Sequence, residues 1–555
     1  MSWRWVSNAP PMNIVRGLPR EPKLNESVAC DLEIFGMNET RLHRPSGTFA
    51  ALSVAFHDVV YQITDVHDIP KVLGILAPGR WIMHNATFDL AHLRRWSSVP
   101  QRKVWDTMIV EQDLFGGYYD TFALDDLSRR WLGKMLPKEE REQFAGRSDM
   151  TAAMEQYAAD DASATLAIYE KQKQHMADEG EDLRCYWEID EPAIWAVLDM
   201  PGVKVNVDGW RAMAVEHATK AQTIADVLGF NPGSYPQTKK TIKGVLGQAP
   251  RDTKALTLQT LMLGSEGKAK ELLASVLEYR MYKKASSTYG ERWLEENVEE
   301  GDLVYSGWRV TGAETGRMSA RSPNLMQIPA RRIPKFREMF LPRYRRMIVA
   351  DVKQQEPRIA AWWSKDEVLL ETIRRGESVY LPVKEATGLD DFGAKTIFLG
   401  SLYGLSDYGL ASRLHCTKEE AAVLLRKLLG RFKRVAIWQY RTKSQAYQRS
   451  YVLTPSGRKV WLNLYNKQWE KSAVNSPIQG GAADQTKIAL GYLHTMGVLP
   501  CLVVHDELVV DSDNPKHDAR IVREAWIEAG KKVIPGVPVE VEVLIGRNLG
   551  VKAMK

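Results

Sequence analysis

The chain has 555 residues, of which 44% are hydrophobic and 26% are charged, with a formal net charge of +6 at pH 7. This length predicts several domains with real cores, and the composition is that of a globular rather than a disordered chain. No apolar run approaches the length of a membrane span, so we expect no membrane association. The mild positive charge is compatible with a polyanion partner, and four scattered cysteines predict a reducing compartment without disulfides.

The first carboxylates that stand out lie on a predicted strand. Val28–Ile34 predicts a strand with Asp31 and Glu33, and a second apolar segment, Thr48–Phe56, fits an adjacent strand. Residues two apart on a strand face the same side, so both carboxylates can share a metal ion. The alternative is that they only solvate the end of the strand.

Two further polar pairs follow at helical spacing. Residues 81–93 predict a strand that runs into a helix, on which Asn85 and Asp89 share a face. A later helical segment places Tyr157 and Asp161 four residues apart in the same way. The alternatives are a helix cap for the first pair and a surface pair for the second.

In this order the three pairs resemble the DxE, NxxxD and YxxxD motifs of DEDD-type 3′–5′ exonucleases, which have an RNase H-like fold. The resemblance covers residues 28–170 and includes a lesser match at Asp106-Thr107-Met108. It implies hydrolysis of a 3′-terminal phosphodiester with two metal ions, and Tyr157 would orient the attacking water. The metal ligands that it implies are Asp31, Glu33, Asp89 and Asp161.

Residues 181–300 predict mainly helices. Long helical patterns cover Trp210–Leu228 and Ala269–Tyr289, and Lys239, Lys240 and Lys243 lie near a helix start between them. Two interpretations stay open at this point. The segment is either a helical linker with solvated lysines or a duplex-holding element that contacts phosphates.

The second half of the chain supplies another pair of strand-borne carboxylates. Residues 347–359 predict a strand that ends in Asp351 and then a turn or helix start. Residues 501–511, CLVVHDELVVD, predict a hairpin with Asp506 and Glu507 at its tip. Carboxylates held on separate strands suit a pair of magnesium ions that also bind substrate phosphates. Taken alone, the hairpin could equally be a surface turn with charged residues.

Four ordered segments resemble the signatures of family A DNA polymerases. They are TGAETGRMSARSPNLMQIP from Thr311, DVKQQEPR from Asp351, KTIFLGSLYG from Lys395 and KSAVNSPIQGGAADQTK from Lys471. The hairpin at Asp506 completes the set, and the end of the 269–289 helix resembles the family's passage from thumb to palm. The match spans nearly all of residues 28–550.

The resemblance implies roles for individual residues. Asp351 and Asp506 would be catalytic metal ligands supported by Glu507, and Glu356 would exclude ribonucleotides. Lys395 would meet the triphosphate, and Tyr403 would stack at the nascent base pair. The residues implied to contact primer or template are Arg317, Asn475, Gln479 and His505.

Two positions depart from the family pattern. Asp391 stands where an arginine usually grips the triphosphate, and Leu399 stands where an aromatic ring usually packs beneath the incoming sugar. An acid at position 391 should weaken nucleotide binding unless a nearby base substitutes. These departures motivate one rival hypothesis, an exonuclease with a degenerate, DNA-binding polymerase domain. A non-catalytic primer–template binding protein is a second rival, which the exonuclease carboxylates oppose.

The predicted fold is α/β, with an RNase H-like exonuclease domain followed by an α+β right-hand polymerase domain. The predicted boundaries are 1–180 for the exonuclease, 181–300 for the connector and thumb, 301–370 and 481–555 for the palm, and 371–480 for the fingers. The predicted cofactor is Mg²⁺, two ions per active site, with Mn²⁺ as a substitute. Predicted partners are primer–template DNA, dNTPs, and a replisome helicase or single-strand binding protein.

Since residue 31 already begins the exonuclease pattern, we expect no 5′ nuclease domain ahead of it. This compact layout resembles a bacteriophage replicative enzyme. We expect a cytoplasmic location, in a bacterial host cell if a phage encodes the chain.

Overall fold

The computed structural model describes residues 13–36, 46–136, 138–329, 335–414 and 416–552. It contains two large β-sheets, and long helices join and cover them. Each sheet carries a group of acidic side chains. None of the described helices is long and apolar enough to cross a lipid bilayer. All four cysteines have free thiols.

The N-terminal sheet has six strands in the order β1-β4-β3-β2-β5-β6. Its strands are β1 (Asn13–Arg16), β2 (Ser27–Phe35), β3 (Thr48–Ala55), β4 (Val59–Ile63), β5 (Arg80–Met83) and β6 (Val104–Asp106). β2 pairs antiparallel with β3 and parallel with β5, so it lies inside the sheet. Its apolar residues are buried while Asp31 and Glu33 alternate with them, as the sequence predicts.

Helices cover this sheet. They are α1 (Ile69–Ile75), α2 (Ala86–Leu93), α3 (Thr107–Phe115), α4 (Leu124–Leu132), α5 (Lys138–Gly146) and α6 (Ala152–Glu179). Thr151 caps α6 by accepting a hydrogen bond from the Met154 amide, and Gly180 ends it in a left-handed conformation. The predicted helix through Tyr157 and Asp161 is therefore confirmed, and it is one of the longest in the chain.

The connector is helical, as predicted. Its helices are α7 (Glu191–Asp199), α8 (Val207–Leu228), α9 (Tyr235–Leu246), α10 (Ala255–Leu263), α11 (Gly267–Thr288) and α12 (Glu291–Asn297). A small antiparallel sheet, β12-β7-β9-β8, lies at the base of α8. Its strands are β7 (Val203–Val205), β8 (Val298–Glu299), β9 (Leu303–Val304) and β12 (Phe340–Leu341).

The second large sheet, which we call the palm sheet, has four antiparallel strands in the order β16-β17-β13-β18. They are β13 (Arg346–Val352), β16 (Pro500–Val504), β17 (Glu507–Ser512) and β18 (Val541–Gly546). The helices that accompany the palm sheet are α13 (Lys335–Glu338), α14 (Gln355–Ser364), α21 (Trp469–Thr495) and α22 (Pro515–Val533). A separate hairpin consists of β10 (Gly307–Arg309) and β11 (Ser319–Arg321).

We call the remaining helices the fingers. They are α15 (Glu367–Arg374), α16 (Leu381–Thr387), α17 (Asp391–Leu402), α18 (Asp407–Leu414), α19 (Lys418–Arg431) and α20 (Lys433–Arg449). A hairpin follows, β14 (Tyr451–Leu453) and β15 (Lys459–Trp461). The fingers share a second hydrophobic core with α14, α21 and the end of α22, whereas the N-terminal sheet and the palm sheet share one continuous core.

Candidate active sites

The N-terminal sheet and α6 together build a carboxylate cluster. Oxygen atoms of Asp31, Glu33 and Asp161 all lie within 4.8 Å of one another. Asp31 and Glu33 project from β2, and Asp161 comes from α6, which packs against that strand. Three carboxylates this close repel one another, and a bound divalent cation relieves that repulsion. The donor set therefore fits a hard metal ion.

Asp89 lies beside the cluster, on the first turn of α2. Its Oδ1 accepts a hydrogen bond of 3.0 Å from the Leu32 amide, one residue along the strand from Asp31. Burial raises the pKa of Asp89 well above its usual range, and the charges of Asp31 and Asp106 act in the same direction. The structure thus brings Asp89 to Asp31, although the tight group of three does not contain it.

Asn85 is placed differently from the prediction. It precedes α2 in a left-handed conformation, with φ of 63°, so Asn85 and Asp89 do not share a helix face. The buried carboxylate of Asp106 holds this strained turn by accepting hydrogen bonds from the Asn85 and Ala86 amides, at 3.0 and 2.8 Å. Asp106 also caps α3, and burial raises its pKa to about 6.

Tyr157 lies one turn before Asp161 on α6 and is buried. Burial raises the pKa of Tyr157, and the negative charges of Asp161 and Glu33 raise it further. The side chains of Tyr157 and Asp161 are hydrogen-bonded, which places the phenol beside the carboxylate cluster.

The palm sheet aligns its acidic residues through strand register. Asp351 near the end of β13 pairs with Glu507 of β17 on one side and with Glu542 of β18 on the other. Directly paired residues of antiparallel strands present their side chains on the same face. Three carboxylates consequently lie in one row at this edge of the sheet.

The hairpin of β16 and β17 differs from the prediction in one detail. Its tip consists of His505 and Asp506, whereas Glu507 is already the first residue of β17 and is buried. The guanidinium of Arg337 lies 3.1 Å from the Glu507 carboxylate. His505 has a positive φ of 56°, and partial burial together with the charges of Arg317 and Arg337 lowers its pKa.

Glu356 is the centre of a second polar group. Arg317 donates a hydrogen bond of 2.8 Å to one carboxylate oxygen, and the Tyr403 hydroxyl donates to the other. Burial raises the pKa of Glu356, and Arg317 opposes that shift. This arrangement connects the loop before β11, the start of α14 and the end of α17.

A cleft of about 670 Å³ lies between the palm sheet and the fingers. The predicted site residues that line it are Arg317, Asp351, Glu356, Lys395, Leu399, His505 and Asp506. Asn475 and Gln479 lie one turn apart on α21, but that helix contributes Ala482, Ala483 and Thr486 to the lining instead.

Asp391 is the first residue of α17, and Lys395 follows one turn later. The Lys384 ammonium of α16 lies 2.9 Å from the Asp391 carboxylate. A base therefore neutralises the acid that departs from the family pattern. No local pattern in the sequence indicates this partner, since seven residues and a change of helix separate the two.

Sequence reasoning also missed three residues with roles in these sites. Arg337 holds Glu507, Asp106 holds the turn at Asn85, and Tyr380 lines the palm cleft. A signal existed only for Asp106, which belongs to the short Asp-Thr-Met match. Arg337 and Tyr380 became visible only through contacts between distant parts of the chain.

Comparison with known proteins agrees with this geometry. The family model for DNA polymerase family A matches residues 210–551, and a 3′–5′ exonuclease model matches residues 15–177. DNA polymerase I of Aquifex aeolicus (strain VF5) is 30% identical over 550 residues, covering 88% of this chain and 90% of that protein. The thermostable DNA polymerase I of Thermus aquaticus is 30% identical over 413 residues, covering 67% of this chain and 49% of that protein.

A solved structure shows the same fold. It is the POL domain of Pol1 from M. smegmatis in complex with DNA primer-template and dNTP, with a TM-score of 0.81 and 25% sequence identity. The likeness covers 97% of this chain and 100% of that chain. The fold and sites define a template-directed DNA polymerase with a proofreading 3′–5′ exonuclease domain. The chain belongs to DNA polymerase family A, whose members depend on metal ions.

Proposed function

We propose that this chain adds deoxynucleotides to a primer 3′ end at the palm cleft and removes mispaired ends at the N-terminal carboxylate cluster. The observation that carries the proposal is the lining of the cleft, where Asp351, Asp506 and Lys395 meet the pair of Arg317 and Glu356. Phosphoryl transfer needs mainly positioning and charge neutralisation, which such a lining supplies.

Asp351 and Asp506 would hold two Mg²⁺ ions in the palm, for which Mn²⁺ is a substitute. When bound, such ions activate the primer hydroxyl and stabilise the leaving pyrophosphate. Glu507 is better suited to orient this site than to bind a metal directly, because Arg337 already occupies its carboxylate. Lys395 is exposed on α17 and can meet the triphosphate as a point charge.

Glu356 is proposed to select deoxynucleotides. Arg317 and the Tyr403 hydroxyl hold its carboxylate from two sides, so the side chain cannot swing away from an incoming sugar. A 2′-hydroxyl would have to displace this arrangement. The same contact would couple sugar selection to Arg317, which is proposed to touch the primer or template, with Asn475, Gln479 and His505 as further DNA contacts.

In the exonuclease site, Asp31, Glu33 and Asp161 would hold the metal ions with Asp89 as a fourth carboxylate. The Tyr157 hydroxyl would orient the attacking water.

The exposed Lys240 and Lys243 of α9 support the assignment of α8–α11 as a thumb that contacts duplex phosphates.

The rival is an exonuclease whose polymerase half only binds DNA, and Asp391 is the residue that favours it. The ion pair of Asp391 with Lys384 weakens that rival, since the lysine offsets part of the negative charge of the exposed acid. A gel assay with a 5′-labelled primer on a longer template and Mg²⁺ decides between them. We expect shortening without dNTPs and lengthening with them, whereas shortening in both conditions would support the rival.

Single substitutions assign the two sites. Asp506→Ala should abolish extension and spare digestion, and Asp31→Ala should do the reverse. Each variant is thus the control for the other, because both remove one carboxylate from a metal-binding edge. Intact extension by Asp506→Ala would refute the palm assignment.

Four further predictions remain proposals. They are the domain boundaries at 180, 300, 370 and 480, a helicase or single-strand binding protein as partner, a cytoplasmic location and a bacteriophage origin. Relatives named DNA polymerase I come from bacteria, which supports a bacterial setting for the chain.

A further inference from the structure

One helix of the exonuclease domain, α3, runs from the nuclease site to the polymerase half of the chain. At its start, Asp106 caps α3 and holds the turn at Asn85 beside Asp89. At its end, Gln112, Asp113 and Gly116 contact the polymerase half. A helix of this length spans roughly 13 Å, so α3 places a rigid element between the two sites.

The contacts at the end of α3 involve the loop 311–317, which carries Arg317. The Thr311 hydroxyl donates a hydrogen bond to the Gln112 side-chain oxygen. A Cβ added to Gly116 would lie 3.2 Å from the Glu314 carbonyl oxygen, so the two backbones approach closely. The exonuclease domain therefore packs directly against this loop.

Asp113 pairs with a buried arginine that lies against the same loop. Arg458 of the 451–461 hairpin pairs with Asp113 of α3, with Asp190 at 2.8 Å and with Asp484 of α21 at 2.9 Å. A Cβ added to Gly316 would lie 2.8 Å from Arg458 Nε, and Gly316 has a φ of +76°. The guanidinium thus supports the backbone directly before Arg317.

We propose that Asp113 is a positioning residue of the polymerase site, which acts through Arg458 on the loop that presents Arg317 to Glu356 and the primer end. This inference rests on the proposed polymerase function. Asp113 is one of three carboxylates that hold the buried Arg458 guanidinium, and Asp190 and Asp484 are the other two. Without Asp113, the guanidinium would shift towards the two remaining carboxylates and away from the backbone at Gly316, which would release the loop.

The test measures extension and digestion with the same preparations of the full chain. For Asp113→Ala, we expect kcat/KM for dNTP addition to fall on the order of tenfold, as for a small misplacement of a reacting end. Digestion of single-stranded DNA should stay near the wild-type rate, so a matched primer end is digested more often per nucleotide added. Asp113→Asn keeps an oxygen acceptor for Arg458 and should recover most of the extension activity.

Glu181→Gln is the matched control. Glu181 pairs with Lys459, the neighbour of Arg458 on the same hairpin, and both side chains are partly exposed. This variant should extend and digest like the wild type. If Asp113→Ala does not fold, the half-buried Gln112→Ala tests the same loop through Thr311.

Several outcomes would overturn the inference. Wild-type extension by both Asp113→Ala and Gln112→Ala would do so, as would a parallel loss of extension and single-strand digestion in Asp113→Ala. An additive loss when Asp113→Ala is combined with Arg317→Ala would also do so, because both are proposed to act through Arg317. Failure of the wild type to extend at all would instead refute the proposed function.

Discussion

At the scale of single residues, the sites depend on charges whose partners come from elsewhere in the chain. Glu356 has a partner 39 residues earlier and another 47 residues later, and Asp391 is neutralised by Lys384. A carboxylate's chemistry follows from what surrounds it rather than from its motif. Two residue-level predictions follow from such pairs.

The first concerns Lys384. Lys384→Ala leaves Asp391 as an uncompensated acid one turn before Lys395, so it should repel a triphosphate. We expect KM for dNTPs to rise about twofold, within the range of an exposed ion pair, with kcat little changed. Steady-state extension at varied dNTP concentration measures this.

Asp391→Asn provides the matched control for that experiment. Added to Lys384→Ala, it removes the uncompensated acid and should restore KM towards the wild-type value. An unchanged KM in Lys384→Ala would show that the ion pair is remote from the bound nucleotide.

The second prediction concerns Glu26, in the turn before β2. Arg20 and the Lys23 amide donate hydrogen bonds to it, and the Arg20 contact lowers the pKa of Glu26 to about 2 from its ordinary value of 4.5. A lowered pKa in the folded state means that the stabilisation is complete above the ordinary pKa and is lost as the pH falls towards 2.

Glu26→Gln should accordingly lower the free energy of unfolding by about 1 kcal/mol at pH 7, after discounting for solvent screening. The difference from the wild type should shrink as the pH falls below about 4.5. Denaturant unfolding at pH 7, 5 and 3.5 measures it, with Glu21→Gln as a neighbouring exposed control. A difference that stays constant over this range would contradict the assignment.

At the scale of elements, α21 is the helix against which the polymerase half is assembled. It is buried along most of its length and carries Asp484, which pairs with Arg458. A Cβ at Gly480 would lie 2.3 Å from Thr454 Cγ2 and 3.1 Å from the Thr315 carbonyl oxygen. The absence of a side chain lets the 451–461 hairpin and the 311–317 loop lie directly on the helix.

Gly480→Ala should therefore force these elements apart, at a cost of about 1–3 kcal/mol typical of overpacking. Extension should fall while single-strand digestion is kept, which paired gel assays and thermal unfolding measure together. Gly430→Ala in α19 is the control, since nothing lies within 4 Å of its added Cβ. That change should be neutral or slightly stabilising, because alanine favours helices. Equal behaviour of the two variants would contradict the packing argument.

At the scale of the whole molecule, the nuclease and palm sheets share a continuous hydrophobic core, which includes Val28 of β2 and Val349 of β13. Helices α9–α11 have a separate small core around Ile242 and Leu273. Segments that share a core tend to open together, whereas small separate cores open at lower free energy.

Native-state hydrogen exchange with rising denaturant should therefore show β2 and β13 losing protection together. The α9 and α10 segments should exchange earlier, at lower denaturant. Mass spectrometry of peptides resolves these regions. Independent loss of β2 protection before β13 would show that the nuclease domain unfolds as a separate unit.

Much of the fold was predictable because the local patterns are strong. The alternation in β2, the apolar run before Asp351 and the helical spacing through Tyr157 each predict the element that forms. Periodic burial is a local property, so it can be read from adjacent residues. The acidic residues on these elements were predicted for the same reason, although their individual roles stay predictions.

The details that failed were set by neighbours distant in sequence. Asn85 lies outside the helix because Asp106 accepts a hydrogen bond from its amide and holds it in a left-handed turn. Glu507 belongs to β17 because it pairs with Asp351. The sequence by itself determined the elements, the order of the motifs and which carboxylates could act. Only the tertiary structure decided that Lys384 neutralises Asp391 and that Arg458 joins Asp113 to the 311–317 loop, because such buried and paired charges depend on contacts that no local pattern encodes.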